Sequence, residues 1–392
     1  MPDAVIVAAA RTAIGTARKG TLLDVTAFDL AKYAVAETLK RSGLPASEVD
    51  DLALGESLQG GGDIARYAAV ELGLTEIPGV AMNRHCASGM ASVQSAAASI
   101  IAGMDQVVIA GGSESLSTSP QSTKRTPGTD DWAPWMSPSH PSTPDAPNLD
   151  MSITVGYNTA QSAGLGRADC DAWALRSHQR AVAAIDEGRL QEEIVAIEVT
   201  MRDGTTKIFD TDEHPRRDSS AEKMASLKPL HPEIDEFPIT AGNSSGLNDA
   251  AAAMMIVSSD YAAANGLKPL GRIVSWASAG VQPRDTGLGP IASIPKALKR
   301  AGLTIDDVDL AEINEAFASV PLAACRQLGL SEDITNPNGS GCSLGHPVAA
   351  TGARMIITTM YELRRRGGGI GVASMCAGGG MGSTTVFEVY PG

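Results

Sequence analysis

The sequence predicts an α/β fold built from a duplicated unit, on three observations. First, LKRSGLPASEVDDL, starting at Leu39, returns as LKRAGLTIDDVDLA, starting at Leu298. Leu39/Leu298, Lys40/Lys299, Arg41/Arg300, Gly43/Gly302, Leu44/Leu303, Val49/Val308 and Asp50/Asp309 match at one constant offset, 259 residues. Each copy reads as a helix end, a glycine stop and an apolar run entering a strand. Second, VVIAGGSE, with Gly111, is echoed in the same order by ASMCAGGG, with Gly378, at an offset of 267. Third, 392 residues with 43% hydrophobic content suffice for two to three domains or one large composite. With 41 glycines and only 4% aromatics, tightly packed helices and Gly-rich turns are expected.

Composition also excludes functions. A net charge of −14 argues against nucleic acid or a polybasic membrane surface as partner, since both need clustered Lys and Arg. Five cysteines, at 86, 170, 325, 342 and 376, form no CxxC pair, so neither a zinc ribbon nor a secreted disulfide framework is expected. No apolar stretch reaches membrane-span length. The N-terminus lacks the basic flank of a signal peptide, and VYPG is not a peroxisomal tripeptide. A soluble, cytoplasmic chain is expected.

Along the chain, VIVAAARTAIG reads as a first strand. Val80–Met82 reads as a strand end, and Ser88 opens a helix in which Met90, Val93, Ala97, Ile100 and Ile101 keep helical spacing. Residues 116–150 carry seven prolines, which no regular element is expected to survive. Trp132, Trp135 and Met136 make this a folded loop region covering something, not a solvated linker. Residues 171–188 read as an amphipathic helix.

Four places could carry chemistry. Cys86, in NRHCASG, falls at a helix N-terminus, where unpaired N–H groups and the helix dipole favour a thiolate and lower the thiol pKa. The alternative is a small buried cysteine. In NPNGSGCSLGHPVAATGAR, Gly339, Gly341 and Gly345 allow close backbone approach, and Pro347 holds His346 extended. Its GxGxxxG spacing is not the dinucleotide fingerprint. Alone, His346 is equally a structural loop residue. Cys376, at a strand end before Gly378–Gly380, stands where a glycine run can present backbone N–H groups to an anion. In EINEAF, Asn314 and Glu315 interrupt an apolar pattern. Together these place two thiols, one imidazole and one amide at equivalent edges of a duplicated α/β unit, where open sheets bind ligands.

From VIVAAARTAIG through NRHCASGMAS, GGSESLS, ALRSHQRA, KPLHP, TAGNSSGLNDAAAA, NEAFA, GHP and CAGGGMG, the chain resembles the thiolase family nearly end to end, in the family's order and spacing. The resemblance implies two βαβαβαββ halves stacked in five layers (αβαβα), with a loop domain inserted in the first half. The divisions expected are 1–115, 116–245 and 246–392. It implies Cys86 as the acylated nucleophile, His346 as acceptor of its proton and Cys376 as the acid/base at the acetyl carbon. Asn314 would hold a water that, with His346, stabilises the thioester oxygen. The N–H groups of Cys86 and Gly378 would form a second oxyanion hole. Ser245 would lie along the pantetheine arm and Arg216 near the nucleotide end of coenzyme A. The substrates implied are coenzyme A and acyl-CoA, with no permanent cofactor and no metal, and the assembly a homodimer or homotetramer.

The sequence departs from the family where GGAIALGHPLGASGAR reads GSGCSLGHPVAATGAR, with Ser340, Cys342, Ser343 and Ala349 changed. Asp150 replaces a histidine beside Met151 near the acyl pocket, and Thr286 stands where methionine is common. These three residues are the expected pocket walls, and acyl-chain preference is expected to differ. The main reading is an acyl-CoA C-acetyltransferase making or cleaving β-ketoacyl-CoA. The alternative is a lipid-binding relative without turnover, which need not retain Cys86, His346, Cys376 and Asn314 together. A ketosynthase would use Cys-His-His or Cys-His-Asn, without the Cys376 block.

Overall fold

The apolar N-terminal run forms strand β1 (Ala4–Thr12) in a computed structural model that describes residues 1–392. The first half continues with α1 (Ala27–Ser42), β2 (Asp51–Gly55), α2 (Ile64–Glu71), β3 (Val80–Met82), α3 (Ser88–Ala102) and β4 (Val107–Ser115). An exposed hairpin follows, β5 (Ser122–Arg125) and β6 (Trp132–Trp135), and then the long helix α4 (Arg167–Asp186). Strands β7 (Asn248–Ser258) and β8 (Gly271–Gly280) precede α5 (Gly289–Ala301), β9 (Leu310–Ile313), α6 (Ser319–Leu328), α7 (Thr351–Arg365), β10 (Gly369–Ala377) and β11 (Met381–Val389).

Local signals place several ends. Thr26 and Asp29 form a reciprocal capping box at the start of α1, and Gly43 at φ 68° stops it. Gly302 stops α5 in the same conformation at φ 72°, so the two LKR repeats are the same helix end used twice. Helix α3 has no side-chain cap, and the N–H groups of Ala87 and Ser88 donate instead to the carbonyls of Arg84 and His85, both at 3.0 Å.

Hydrogen bonding orders the strands β9-β10-β11-β8-β1-β7-β4-β2-β3. The two halves meet where β1 and β8 pair antiparallel, Ala4 with Ile273, Val5 with Arg272 and Ile6 with Gly271, a local two-fold through Val5/Arg272. A parallel bridge from Ala311 to Thr335 stands in the second half where β3 stands in the first. The helices complete five layers. α1 and α2 cover the outer face of the first sheet, with Leu30, Ile64, Leu52 and Met255 in that core. α3 and α7 lie between the sheets, with Met90, Val93, Ile356 and Met360. α5 and α6 cover the outer face of the second sheet, joined by α4 through Trp173. α7 is buried from Thr351 to Leu363, as a helix packed on all sides must be.

Three expectations change here. Strand β7 lies between β1 and β4, so the first half's sheet ends at Ser258, beyond the division at 245/246. Its alternate side chains enter two cores, Met254 and Ile256 the central one, Met255 and Val257 the outer one. The echo of Gly111 in Gly378 lies in equivalent strands but out of register. Asp51 pairs with Val108 and Leu310 with Gly371, so the sheet offset is 263 residues, not 267. Finally, residues 116–150 do contain a hairpin. Pro134 is accommodated because that ribbon has only one partner strand, and Trp132 is 65% exposed, so contact of this region with the rest of the chain comes not from that tryptophan but from residues such as Ser139, which packs on Gly378 and Gly379.

Candidate functional site

Cys86 is half-buried two residues before the start of α3, in a turn where His85 takes φ 47°. Its sulfur accepts the backbone N–H of Gly378 and its own N–H. Both donors favour the thiolate, but burial outweighs them and pushes the thiol up to about 11, with Glu114 adding to the rise. The helix N-terminus therefore does not yield a resting thiolate, and the expected lowering is corrected. Burial dominates because Cys86 packs against the central core. Cys376, the penultimate residue of β10, is 2% exposed, and its thiol is raised by burial and then by nearby Cys86.

Gly378 opens the turn from β10 to β11, where Ala377 pairs with Met381. A side chain on Gly378 would reach 3.4 Å from Ser139 Cβ and 3.5 Å from His85 Cγ, so these two residues flank the donor.

His346 is held from two sides. Its backbone N–H donates to Asn248 Oδ1 at 2.9 Å, and its Nδ1 lies 2.7 Å from Thr351 Oγ1. The preceding Gly345 adopts φ 112°, and a Cβ there would stand 2.5 Å from the Asn248 side chain, so only glycine fits. Burial and then nearby Arg354 bring His346 down to about 3, so the ring is neutral at physiological pH. The loop after His346 packs on the first turn of α3. A Cβ on Gly89 would meet the Ala349 carbonyl oxygen at 2.4 Å, and the Ala349 N–H donates to Glu114 at 3.1 Å. Glu114, buried in β4, also accepts from Leu58 N and Gln59 Nε2 and is pushed up to about 7 by that burial.

Asn314 directly follows β9. Its Nδ2 lies 3.5 Å from both ring nitrogens of His346, and its buried Oδ1 has no hydrogen-bond partner. Next to it, buried Glu315 accepts from Trp173 Nε1 (2.8 Å), Ser177 Oγ (2.6 Å), Asn336 Nδ2 (2.8 Å) and Cys342 N (3.1 Å). One carboxylate thus ties the Asn314 turn, helix α4 and the loop leading to His346. Cys342 itself is buried, with its thiol raised.

The segment after Asn243 runs along both reactive loops, Ser244 bridging to Phe317 and Leu247 to His346. Ser245 lies between, half-buried, with its N–H on the Ala316 carbonyl. Gly246 abuts His214, whose protonation is disfavoured by burial and then by Arg216 and Lys19. Exposed Lys19 and Arg216 thus form a cationic cluster beyond Ser245. Of the expected pocket walls, Asp150 accepts from Ser152 and Ile153 at the start of a π-helical turn and pairs with His231 at 2.9 Å. Met151 packs at the edge of the second half's outer core. Thr286 is buried and donates to the Pro283 carbonyl at 2.6 Å. The carboxylate and hydroxyl are therefore engaged in local structure.

The sequence and the fold have close counterparts. Family models described as thiolase, N-terminal domain and thiolase, C-terminal domain match residues 4–260 and 267–389. The chain belongs to the thiolase family. A family relative, a 3-ketoacyl-CoA thiolase of Bacillus subtilis, is 39% identical over 99% of this chain and 100% of its own. The crystal structure of the Bacillus anthracis acetyl-CoA acetyltransferase superposes with a TM-score of 0.89 at 37% identity, covering 99% of both chains. That of human mitochondrial 3-ketoacyl-CoA thiolase does so with 0.89 at 34% identity, also covering 99% of both. No helix is long and apolar enough to cross a membrane, and no cluster of three His, Cys, Asp or Glu side chains is disposed to hold a metal ion.

Asn248, Glu114 and Thr351 support this site without having been singled out by sequence, and Glu315, noted there only as an interruption of an apolar pattern, joins them. Glu114 carried a signal, an acid within the small apolar run VVIAGGSES. Asn248 and Thr351 carried none, because a hydrogen bond to His346 leaves no mark on local periodicity.

With a thiol near 11, the Cys86 thiolate fraction rises about tenfold per pH unit through pH 8–10. Alkylation of the free protein by iodoacetamide, followed at Cys86 by peptide mapping, should climb across that range. A rate already level at pH 7 would contradict the raised thiol.

Proposed function

We propose that this chain is an acyl-CoA C-acetyltransferase that makes or cleaves β-ketoacyl-CoA, such as acetoacetyl-CoA, by a ping-pong route through an acyl thioester on Cys86. The observation that carries this reading is the Gly378 N–H directed at Cys86 Sγ with Cys376 alongside. A nucleophile and a donor for the developing oxyanion share one point with a second thiol placed for proton transfer.

In the first half-reaction Sγ attacks the thioester carbon, the bond to the CoA sulfur breaks and CoA leaves as the thiol. The N–H groups of Cys86 and Gly378 take the oxyanion. A thiolate–imidazolium pair in the free protein would lie on the order of 10 kcal/mol above thiol and neutral imidazole, before any mutual attraction. Proton transfer to His346 therefore accompanies attack on the substrate. In the second half-reaction Cys376 passes its thiol proton to the neutral His346 as it removes a proton from the acetyl methyl group, and in cleavage these transfers run in reverse. A thiol raised above its ordinary value is a stronger base when ionised, which narrows the mismatch with a weak carbon acid. The imidazolium so formed at His346, with a water held by Asn314, stabilises the thioester oxygen as it becomes the enolate oxygen, and the proton returns to Cys86 as the carbon–carbon bond forms and the acyl–sulfur bond breaks. Coenzyme A is read as running past Ser245 with its phosphates toward Lys19 and Arg216, an assignment supported by Gly246 abutting His214, whose protonation both cations disfavour.

Thiolysis of β-ketoacyl-CoA substrates of increasing chain length tests the reaction and reads its preference. Binding of acyl-CoA without turnover at any length would instead support a carrier. Arg216→Glu should raise KM several-fold with kcat little changed, and the gap should shrink as ionic strength rises. An unchanged KM at low salt would remove Arg216 from the coenzyme A path.

A further inference from the structure

We propose that Thr351 is a positioning residue that holds His346 as the Nδ1–H tautomer and so leaves Nε2 as the nitrogen that can accept a proton. Thr351 Oγ1 lies 2.9 Å from the Pro347 carbonyl oxygen and 2.7 Å from His346 Nδ1. Two oxygens at 2.9 Å need a proton between them, and a carbonyl has none to offer. The hydroxyl proton therefore points at Pro347, whose oxygen also accepts the N–H groups of Ala350 and Thr351 at 2.9 and 3.0 Å. A hydroxyl has one proton. With it committed, Oγ1 meets Nδ1 as an acceptor, and Nδ1 carries the hydrogen. The neighbouring amide does not compete for either nitrogen. Asn314 Nδ2 is equidistant from both at 3.5 Å, which places it off both lone-pair directions and beyond ordinary hydrogen-bond length.

The local sequence explains why the hydroxyl stands there. Pro347 and Thr351 are four residues apart, the separation at which a threonine hydroxyl bonds the carbonyl one turn back. Thr351 opens α7 and is fully buried, so its rotamer is set by packing. The bond from the His346 backbone N–H to Asn248 Oδ1 fixes the main chain from which the ring projects.

The consequence rests on the acyl-transfer reading above. As the bond from Sγ to the acyl carbon forms and the bond from that carbon to the CoA sulfur breaks, the Cys86 proton moves to Nε2. It then passes to the departing sulfur, so CoA leaves as the thiol. The Nδ1–H stays on Thr351 throughout. In the opposite tautomer Nε2 already holds a hydrogen and cannot accept one.

The test is histidine-selective 15N NMR of the full chain, with His346 identified as the pattern lost in His346→Asn. The wild type should show a protonated Nδ1 and an unprotonated Nε2. The reverse pattern would overturn the proposal, and this reading stands even if Thr351→Val fails to fold. Thr351→Val should mix the tautomers and slow single-turnover acetylation of Cys86 by about 10- to 100-fold, part of the loss seen when a catalytic histidine is held in the wrong tautomer. Thr351→Ser, which keeps the hydroxyl, should retain the wild-type spectrum and a rate within a few-fold. Normal acetylation in Thr351→Val, or a pure Nδ1–H ring there, would also overturn it. Absence of acetylation in a wild type with the Nδ1–H pattern would overturn the acyl-transfer reading and not the tautomer.

Discussion

Replacing Cys86 with alanine is expected to abolish both half-reactions. It should lower thiolysis and condensation by at least about four orders of magnitude, since no other group can form the covalent intermediate. The remaining cysteines are poor substitutes for physical reasons. Cys170, Cys325, Cys342 and Cys376 are all buried, and burial raises each of their thiols. Only Cys86 is half-exposed with two backbone donors on its sulfur. Incubating the wild type with acetyl-CoA, trapping, digesting and mapping should place the acetyl group on Cys86 alone. Label on Cys376 or Cys342 would end the assignment. The fold should tolerate the change. A small half-buried side chain is removed, only the two weak backbone contacts to its sulfur are lost, and destabilisation should stay near 1 kcal/mol, about the average for single substitutions.

Replacing Cys376 with serine is expected to separate the two half-reactions. Acylation of Cys86 needs a nucleophile, His346 and the donors at Cys86 and Gly378. None of these depends on a proton at the position of the second thiol. Formation of the carbon–carbon bond does, because the acetyl methyl group is a weak acid. A serine hydroxyl, ordinarily far less acidic than a thiol, is a poor base here. Cys376→Ser should therefore still become acetylated by acetyl-CoA in a single turnover. It should lose condensation and thiolysis by about two to four orders of magnitude, the usual range for one general acid–base group. Single-turnover acetylation measured beside steady-state thiolysis decides the matter. A folded Cys376→Ser protein that cannot be acetylated, or that condenses near-normally, would refute this division of labour. Cys376 is not among the groups that shift the Cys86 thiol, so an unchanged alkylation profile of Cys86 serves as a check that the nucleophile is still in place.

Some of this protein was determined by sequence alone, and the rest only by tertiary structure. The duplication was legible because a helix end, a glycine stop and a strand start are local features, and they recur at Leu39 and Leu298. The start of α3 at Ser88 and the strand Val80–Met82 were legible for the same reason, since periodicity and turn chemistry act over a few residues. The side chains proposed as reactive were picked out by their motifs. Their electrostatic state was not. The helix N-terminus at Cys86 is written in the sequence, but the burial that outweighs it comes from the central core, assembled from both halves. The strand register was misread by four residues because a short glycine match does not specify which residues pair. The bond from Asn248 to His346 spans 98 residues of chain, and that from Ser177 to Glu315 spans 138. Sequence determined which chemical groups are present and the elements that carry them. Only folding decided which of them lose water and which meet, because desolvation and long-range hydrogen bonding exist only once distant segments are packed together.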